Sequence, residues 1–356
     1  MTPESLLQDL VAIRSESGSE GAIADYVASL ATAWGFEVRR QGHNVWFELG
    51  QGGGPRLLLC SHLDTVKPCE GWVIDPWNPQ WREGRLTGLG ANDAKGCVAS
   101  LLWAAHQLKE QVQQGMALKG TALFAFVAEE EVGGVNGLPT VLPLLGALDA
   151  AVVGEPTGFA PCLAQRGMLI LACTAHGESA HVAHAQLADN AIHKAARDIA
   201  RLSTLTFEPH DLLGVAKPQV TLVEGGITRN QVPDRCTFSV DIRTTPNLDH
   251  EALAQQLAGE LESEVKVHSG RYLPKATDPA HPIARAALAV TGRSAIGSPT
   301  TSDWAFLGAL PTVKLGPGDT HRSHRPNEYL TSQELQGACE GYARLVTTYF
   351  DMAKGV

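Results

Sequence analysis

The sequence predicts an α/β fold, in which buried strands alternate with helices, with a smaller α+β domain inserted into it. Three short apolar runs are separated by stretches of helical spacing, as in a parallel sheet; they lie at 57–60, 121–127 and 150–153. From about Leu169 the pattern changes to strands separated by helices and longer turns. The 356 residues are enough for two domains. We expect a first domain interrupted by a second, with limits at 1–165, 166–270 and 271–356.

Composition and charge argue against several classes of protein. Apolar residues make up 44% of the chain and charged residues 19%, the balance of a globular protein. The net charge of −10 disfavours a nucleic-acid or anionic-membrane surface. No apolar run approaches the roughly 20 residues that span a bilayer, and residues 1–20 lack the pattern of a signal peptide. The seven cysteines form no Cys-x-x-Cys pair, which predicts reduced thiols in a cytoplasmic protein, with Cys69 and Cys97 as weaker candidate ligands.

The N-terminal part is predicted as two helices followed by strands. Apolar residues recur at helical spacing between Pro3 and Trp34, with a break at Ser15–Ser19. The segments 36–39 and 45–49 alternate as strands do and lead into the first apolar run. The stretch Lys67–Leu89 is rich in proline and tryptophan and is predicted as a long irregular loop. Its tryptophans could line a pocket mouth or cover the core.

A histidine and an aspartate follow the first apolar run directly. His62 and Asp64 are two residues apart at the end of a predicted strand, so their side chains point to the same side. The carboxylate could bind a metal, or it could orient the imidazole and raise its basicity. Such a pair is more often a surface ion pair or a turn. Carboxylates at similar places further along the chain favour a metal site.

Three later segments carry these carboxylates. Asp93 lies in a glycine-rich turn before a predicted helix at 97–108, where it is either an N-cap or a ligand. Glu129–Glu131 follow the second apolar run; they repel one another unless a cation or solvent lies among them. Glu155 follows the third run. Because ligands of α/β sheets bind beyond the carboxyl ends of the strands, we expect these groups to meet His62.

The inserted domain and the C-terminal part are read from the same kinds of pattern. In the insertion, strands are predicted at 169–176, 219–224 and 236–243, and helices at 190–202 and 250–261. Edges of its sheet could pair with a second copy of the chain, which predicts a possible homodimer. After it, helical sequence and one strand at 312–315 lead into a turn that contains several histidines.

The candidate groups have the chemistry of a metal site. Imidazole and carboxylate ligands suit zinc, cobalt or manganese. A late histidine, His62 and three carboxylates are too many for one tetrahedral ion, but they fit two ions about 3.5–4 Å apart that share a carboxylate. One glutamate of the acidic run would then accept a proton from water.

Several motifs occur in a fixed order along nearly the whole chain. They are Ser61-His-Leu-Asp-Thr, Gly90-Ala-Asn-Asp-Ala-Lys-Gly, Ala128-Glu-Glu-Glu-Val-Gly-Gly, Gly154-Glu-Pro-Thr, Ala175-His-Gly-Glu-Ser-Ala-His, and Gly316-Pro-Gly with His324-Arg-Pro-Asn-Glu-Tyr. With them the sequence resembles the M20 metallopeptidase and deacylase family, in particular its acetylornithine deacetylase and succinyl-diaminopimelate desuccinylase branch. The resemblance implies a di-metal zinc-peptidase-like catalytic domain with an inserted lid and dimerisation domain.

The resemblance also implies a set of metal ligands. His62 and Glu155 would hold one ion, Glu131 and His324 would hold the other, and Asp93 would bridge them. The implied cofactor is a pair of divalent ions, Zn²⁺ first and Co²⁺ as an alternative.

Two further roles belong to neighbours of these ligands. The resemblance implies that Asp64 supports His62 from behind and that Glu130 is the catalytic base. The acidic run begins with glutamate where the family has aspartate. A shift of register by one residue, which would make Glu129 the base, therefore remains open.

In the inserted domain the resemblance implies three residues that act on the substrate. His181 would stabilise the oxyanion, although a solvated loop histidine is the alternative. Asn230 and Arg243 would bind the α-carboxylate, for which the planar guanidinium fork of arginine is suited. The stretch Ser298–Asp303 would border the side-chain pocket. Domain closure would bring His181 and Arg243 to the metals, within one subunit or across a dimer.

The implied activity is hydrolysis of an N-acyl amino acid, a small-molecule partner. N-Acetylornithine, N-acetylcitrulline and N-succinylornithine in arginine biosynthesis are the leading substrates, because the loop after Asp64 looks closer to acetylornithine-type deacetylases. Alternatives within the family are succinyl-diaminopimelate desuccinylase, a carrier-protein or acetyl-lysine hydrolase, and a dipeptidase. The alternative from another class is a metal-binding protein without catalysis. Nucleotide binding is disfavoured, because no P-loop lysine follows the glycine pairs.

Overall fold

The computed structural model describes residues 1–50 and 52–353, and their contacts divide the chain into two compact units. The first unit consists of Met1–Leu163, Thr277–Ile296 and the chain from Ser302 onward. The second unit consists of Ala164–Ala276 and Gly297–Thr301. An α/β unit is thus interrupted by a smaller α+β unit, which confirms the predicted fold class. The domain limits derived from the sequence stay a prediction.

The helices differ from the predicted ones mainly in length. They are α1 (Pro3–Ala12), α2 (Gly21–Ala33), α3 (Lys95–Gln113), α4 (Leu138–Val141), α5 (Ala191–Ser203), α6 (His250–Glu260), α7 (Pro282–Thr291) and α8 (Ser332–Ala353). Ala94 is the N-cap of α3, so the interpretation of Asp93 as an N-cap is wrong; its carboxylate instead faces His62, at 3.3 Å. Among the described residues, no helix combines the length and the apolar character needed to cross a membrane.

The strands include several short ones that the sequence did not suggest. They are β1 (Arg39–Gln41), β2 (Asn44–Leu49), β3 (Arg56–His62), β4 (Gln80–Arg82), β5 (Arg85–Thr87), β6 (Thr121–Val127), β7 (Ala150–Val153), β8 (Cys162–Gln165), β9 (Met168–His176), β10 (Ala180–His181), β11 (Pro218–Gly225), β12 (Gln231–Val232), β13 (Arg235–Ile242), β14 (Glu264–Tyr272), β15 (Lys275–Ala276), β16 (Ile296–Ser298), β17 (Thr312–Lys314) and β18 (Tyr329–Thr331).

Two predictions about the N-terminal part are wrong in detail. The stretch 67–89 is not wholly irregular, because β4 and β5 form a hairpin that also pairs with β18. Its turn is Glu83-Gly84, both with positive φ, as a two-residue hairpin turn requires. The predicted strand at 36–39 is present only from Arg39, because Phe36 instead packs its ring against Phe47.

The sheet of the first unit brings several strand ends to one edge. Its strands pair in the order β1-β2-β6-β3-β7-β17-β8. Strand β3 is parallel to both β6 and β7, and β17 is parallel to β7. Every residue of β6 and β7 is buried, which explains why these strands are apolar without alternation. The carboxyl ends of β3, β6 and β7 therefore lie together, where a ligand of an α/β sheet is expected.

The second unit has an antiparallel sheet in the order β11-β13-β9-β14. Helix α5 packs on β9, β11 and β13, and α6 packs on β14. Strand β13 alternates between buried and partly exposed residues, as a sheet with one covered face does. Its inward residues Phe238 and Val240 join Leu171, Leu253 and Leu257 in one hydrophobic core.

Candidate metal centre

His62 is the last residue of β3, and its imidazole is buried at the strand end. Its Nδ1 atom lies 3.0 Å from the carbonyl oxygen of Asp64 and 3.4 Å from Asp64 Oδ1. Its Nε2 atom lies 3.3 Å from Asp93 Oδ1 and 3.9 Å from Glu155 Oε1. Because Nδ1 is turned to Asp64, Nε2 is the nitrogen available to a metal ion.

Asp64 connects this strand end to the turn that carries Glu129, Glu130 and Glu131, here called the acidic turn. Its side chain is fully buried, with Oδ1 accepting the backbone N–H of Glu130 and Oδ2 that of Glu131, each at 3.1 Å. Ser17 Oγ donates a third hydrogen bond, at 2.7 Å. Burial alone would raise the pKa of Asp64, but the hydrogen bond and charge of His62 outweigh it and lower that pKa. Asp64 is thus held as a carboxylate that fixes the histidine and the turn together.

Two groups of three side chains have ligand atoms close enough to hold a metal ion. The first triad is His62, Asp93 and Glu155, and the second triad is Asp93, Glu131 and His324; within each, the ligand atoms lie within 4.8 Å of one another. His324 Nε2 is 2.9 Å from Glu131 Oε1 and 3.8 Å from Asp93 Oδ2. Asp93 therefore turns one carboxylate oxygen to each triad, which is the geometry of a bridging ligand.

The crowding of carboxylates shifts several pKa values. Burial raises the pKa of Glu155 to about 8, and the negative charge of Asp93 adds to the shift. The hydrogen bond to Glu131 raises the pKa of His324 to about 9. Burial, with the charge of Glu155, also raises the pKa of Glu130 well above its usual value. A bound cation would displace these protons and compensate the negative charge of the carboxylates.

The three glutamates of the acidic turn have different surroundings. Glu129 has a left-handed backbone, with φ of 59°. Its carboxylate accepts hydrogen bonds from the backbone N–H and the Nδ2 of Asn136, at 3.2 and 2.8 Å. Glu131 faces His324. Within residues 1–50 and 52–353, the carboxylate of Glu130 accepts no hydrogen bond, so it is the one of the three left available to a substrate or a water molecule.

Three buried charged residues near the triads were missed by the sequence analysis. Glu328 Oε1 accepts the backbone N–H groups of Asn92 and Asp93, each at 2.8 Å. Lys95 donates to the carbonyl of Ile13 at 2.7 Å, and burial lowers its pKa to about 7.

The third of these residues is Asp303. Its Oδ1 is buried without a hydrogen-bond partner in the described chain, and burial raises its pKa to about 7. Glu328 and Lys95 lie inside two of the family motifs, but only their burial distinguishes them from solvated charged residues. Asp303 lies in the segment Ser298–Asp303, which the sequence predicts as a border of the side-chain pocket.

The remaining predicted site residues lie in the second unit. His181 and Asn230 are neighbours there, because β10 pairs with β12 and the carbonyl of Asn230 accepts the N–H of Val182. Arg243 is exposed and forms a two-point ion pair with Asp241, with its Nε at 3.0 Å from Oδ1. The structure therefore gathers the predicted ligands, Asp64 and Glu130 in the first unit, while the substrate roles of the other three residues stay predictions.

The fold and the paired triads are those expected of a metal-dependent amidohydrolase. Residues 58–348 match Peptidase family M20/M25/M40. The chain belongs to this family, as its motifs predict.

Known relatives and solved structures support this assignment. A succinyl-diaminopimelate desuccinylase from Leptothrix cholodnii is 30% identical over 346 residues, which cover 88% of this chain and 90% of the relative. An M20 family metallo-carboxypeptidase from Sulfolobus solfataricus has a TM-score of 0.77 at 18% identity, covering 99% of this chain and 100% of that one. A dinuclear metal binding peptidase of the M20 family from Bacillus subtilis has a TM-score of 0.75 at 18% identity, covering 98% of both chains.

Proposed function

We propose that the chain removes the N-acyl group from the α-nitrogen of an amino acid, with N-acetylornithine or N-acetylcitrulline as substrate in arginine biosynthesis. The observation that carries this proposal is the pair of triads sharing Asp93. The carboxylate of Glu130 lies within electrostatic reach of His62 and Glu155. Membership of a family of amide-cleaving metalloenzymes supports the reaction. The resemblance of the loop after Asp64 to that of acetylornithine-type deacetylases supports the substrate.

The donor set fits two divalent ions. Each triad offers one histidine nitrogen and carboxylate oxygens, ligands that zinc accepts, and three protein ligands leave room for water or substrate. We take zinc as the native ion and cobalt as the alternative. When bound, the ions would supply positive charge that polarises the amide carbonyl and makes water a stronger acid.

In this proposal Glu130 moves the proton. It accepts a proton from the attacking water and returns it to the departing nitrogen of the amino acid. Burial and the charge of Glu155 raise the pKa of Glu130 above that of an ordinary glutamate, which makes its carboxylate a stronger base. Asp64 holds the backbone of Glu130 in place through the hydrogen bond that it accepts. Glu131, the next residue, remains a ligand of the second triad.

The second unit supplies the substrate contacts of the proposal. His181 donates a hydrogen bond to the oxygen on which negative charge develops. Asn230 and Arg243 bind the α-carboxylate of the amino acid, and Arg243 must exchange its bond with Asp241 for one with the substrate. The chemistry of the three side chains supports these roles, since each offers donors to an anionic oxygen.

We also propose a homodimer and a cytoplasmic location. Strand β11 is an edge of the sheet in the second unit, and Leu222 and Val223 on it are 66% and 54% exposed. An edge with apolar side chains is suited to pairing with a second copy of the chain. All seven cysteines are free thiols, which fits a reducing compartment.

The second candidate is hydrolysis of N-succinyl-diaminopimelate. The observation that favours it is the name of the Leptothrix cholodnii relative. Both candidates use the same two triads and the same base. They differ in the acyl group and in the second amino-acid end of diaminopimelate, so a direct comparison of substrates separates them.

The test is hydrolysis by the full-length, zinc-loaded protein of N-acetylornithine, N-acetylcitrulline, N-succinylornithine, N-succinyl-diaminopimelate and N-acetyllysine. The matched control is the same protein treated with a chelator. We expect kcat/KM to be highest for N-acetylornithine or N-acetylcitrulline, and the activity to disappear with the chelator and return with zinc. Preference for the diaminopimelate substrate would replace the first candidate by the second. Activity that survives complete metal removal would contradict both.

A further inference from the structure

We propose that Glu328 is a positioning residue that sets the affinity of the second triad for its metal ion. It does so by connecting the turn that carries Asp93 to the turn that carries His324. This inference rests on the two-metal site of the proposed function. It concerns a side chain that belongs to neither triad and that has no role in the proton transfer.

The first step is the set of hydrogen bonds that Glu328 accepts from the turn before α3. Its Oε1 accepts the N–H groups of Asn92 and Asp93, each at 2.8 Å, and its carbonyl oxygen accepts the N–H of Gly88 at 3.0 Å. The residue is 3% exposed. A carboxyl oxygen that accepts both N–H groups holds the two residues at a fixed position, and such hydrogen bonds are stronger in a buried environment than in water. The backbone of the bridging ligand is therefore located by Glu328.

The second step is the position of Glu328 on the other turn. It follows His324 by four residues, and both His324 and Asn327 have left-handed backbones, with φ of 59° and 60°. This conformation is uncommon for residues other than glycine, although asparagine and histidine adopt it more readily than most. Asn327 is held by its side chain, which accepts the N–H of Val73 at 3.0 Å. The carboxylate of Glu328 ties the end of this turn to the bridging ligand.

A neighbouring contact shows that the two turns are joined as a unit. Asn92 Oδ1 accepts the N–H of Asp319 at 2.8 Å, and its Nδ2 donates to the carbonyl of Asp319 at 3.1 Å. Asn92 is fully buried. Asn92 and Glu328 thus form reciprocal links between segments more than two hundred residues apart in the chain.

The third step is electrostatic. Burial, with the negative charge of Asp93, raises the pKa of Glu328 to about 8, because a carboxylate buried to this extent is costly unless it is compensated. Lys95 is 1% exposed, and its positive charge attracts Glu328 and Asp64. Lys95 donates its hydrogen bond to the carbonyl of Ile13, so the position of the Glu328 carboxyl group is fixed by the backbone N–H groups of Asn92 and Asp93.

The second triad should depend on this link more than the first. His62 is on β3 and Glu155 follows β7, and those strands hydrogen-bond to each other. Glu131 and His324 both lie in turns instead. Loss of the Glu328 link would therefore move two ligands of the second triad, Asp93 and His324, but only Asp93 of the first.

The experiment measures zinc binding to the metal-stripped full-length chain by calorimetry in competition with a chelator. For the wild type we expect two ions per chain. For Glu328→Ala we expect the first ion to bind nearly as in the wild type, and the second about 10–100-fold more weakly. Glu328→Gln keeps an acceptor oxygen, so we expect a smaller loss.

Glu334→Gln is the matched control. Like Glu328, Glu334 is a carboxylate close in sequence to the turn that carries His324, and it is partly buried. It accepts the N–H of Thr331 at 2.9 Å and pairs with Arg322 at 3.0 Å. Within residues 1–50 and 52–353 its hydrogen bonds and ion pair go to Thr331 and Arg322 and not to the turn that carries Asp93, so both zinc affinities should match those of the wild type.

The outcomes separate this inference from the proposed function. If the wild type binds two ions and Glu328→Ala binds both with unchanged affinity, the inference alone is overturned. The same holds if Glu328→Ala weakens the binding of both ions equally, or if Glu334→Gln weakens zinc binding as much as Glu328→Ala does. Fewer than two ions in the wild type would overturn the two-metal site and the inference with it. If Glu328→Ala does not fold, Glu328→Gln decides, and unchanged binding in that variant then overturns the inference.

Discussion

The two triads are built on different kinds of structure. In the first triad, His62 ends β3 and Glu155 follows β7, and the histidine is 1% exposed. In the second triad, Glu131 lies in a single helical turn, and His324 has a left-handed backbone and a side chain that is 51% exposed. The sheet fixes the first set of ligands through its own hydrogen bonds, whereas the second set depends on contacts from other segments.

This difference indicates that the ligand positions of the second triad depend more on contacts from other segments than those of the first triad do. Strand ends are positioned by a core that folds for reasons unrelated to metal binding. Turns with unfavourable dihedral angles are positioned by a few specific side chains, so they can be disturbed by single substitutions.

Glu130→Gln tests the proposed general base, Glu130, which belongs to neither triad. We expect kcat to fall by about 10²–10⁴-fold, because the amide cannot accept the proton, while two ions remain bound. Turnover and metal content are measured on the same preparation. Glu129→Gln is the control, since the Glu129 carboxylate is bonded to Asn136, and its kcat should change far less. The reverse pattern would move the base to Glu129.

His324→Ala tests the second triad alone. We expect the metal content to fall from two ions per chain to one, because Asp93 and Glu131 are then the only ligands left at that position. The melting temperature of the metal-free protein should change little, since this side chain is half exposed. Metal analysis after dialysis gives the content. Retention of both ions would show that the second triad is not a binding site.

The pH dependence of zinc binding sharpens the comparison. The pKa of Glu155 is raised to about 8 and that of His324 to about 9, so in the metal-free protein both groups hold protons at neutral pH. Zinc must displace these protons, so its affinity should rise with pH up to about 9, by about tenfold per pH unit for each proton released. Calorimetry in buffers of different ionisation enthalpy counts the protons. Zinc binding without proton release would contradict this assignment.

Arg243→Ala has the smallest expected effect and concerns the second unit. We expect KM for an N-acyl amino acid to rise about tenfold, as for the loss of one exposed charged hydrogen-bonding group, with kcat little changed. The comparison substrate is the same compound with its carboxylate capped as an amide, for which the variant and the wild type should be alike. Equal losses on both substrates would remove Arg243 from carboxylate binding.

The parts of the site that could be predicted are those that follow strands. A short apolar run between turn residues is typical of a buried strand in an α/β chain, and the residues just after such a strand are expected at the carboxyl edge of the sheet. His62 and Glu155 could be placed together on that ground. His324 could not be placed with them in this way, because it lies in a turn and a turn has no periodic pattern. Only the motif around His324 predicts its role as a ligand. The catalytic and ligand roles themselves stay predictions.

What could not be predicted arises from contacts between distant segments. Glu328 reaches the N–H of Asp93 across 235 positions of sequence, and no local pattern distinguishes its carboxylate from a solvated one. Asp93 could have been an N-cap by propensity, but tertiary structure gave its carboxylate another partner. The hairpin of β4 and β5 was missed because each strand has only three residues.

The position of β17 in the sheet has a consequence for synthesis of the chain. Strand β17 lies between β7 and β8, although it comes more than a hundred residues later in the sequence. At roughly 5–20 residues per second, a ribosome needs on the order of ten seconds to make the intervening segment. During that time the buried side chains of β7 lack their final neighbour, and an open apolar strand edge invites pairing with other nascent chains. The sheet can close only after β17 has been made, and the metal ligands are all present only after His324 has been added to the chain.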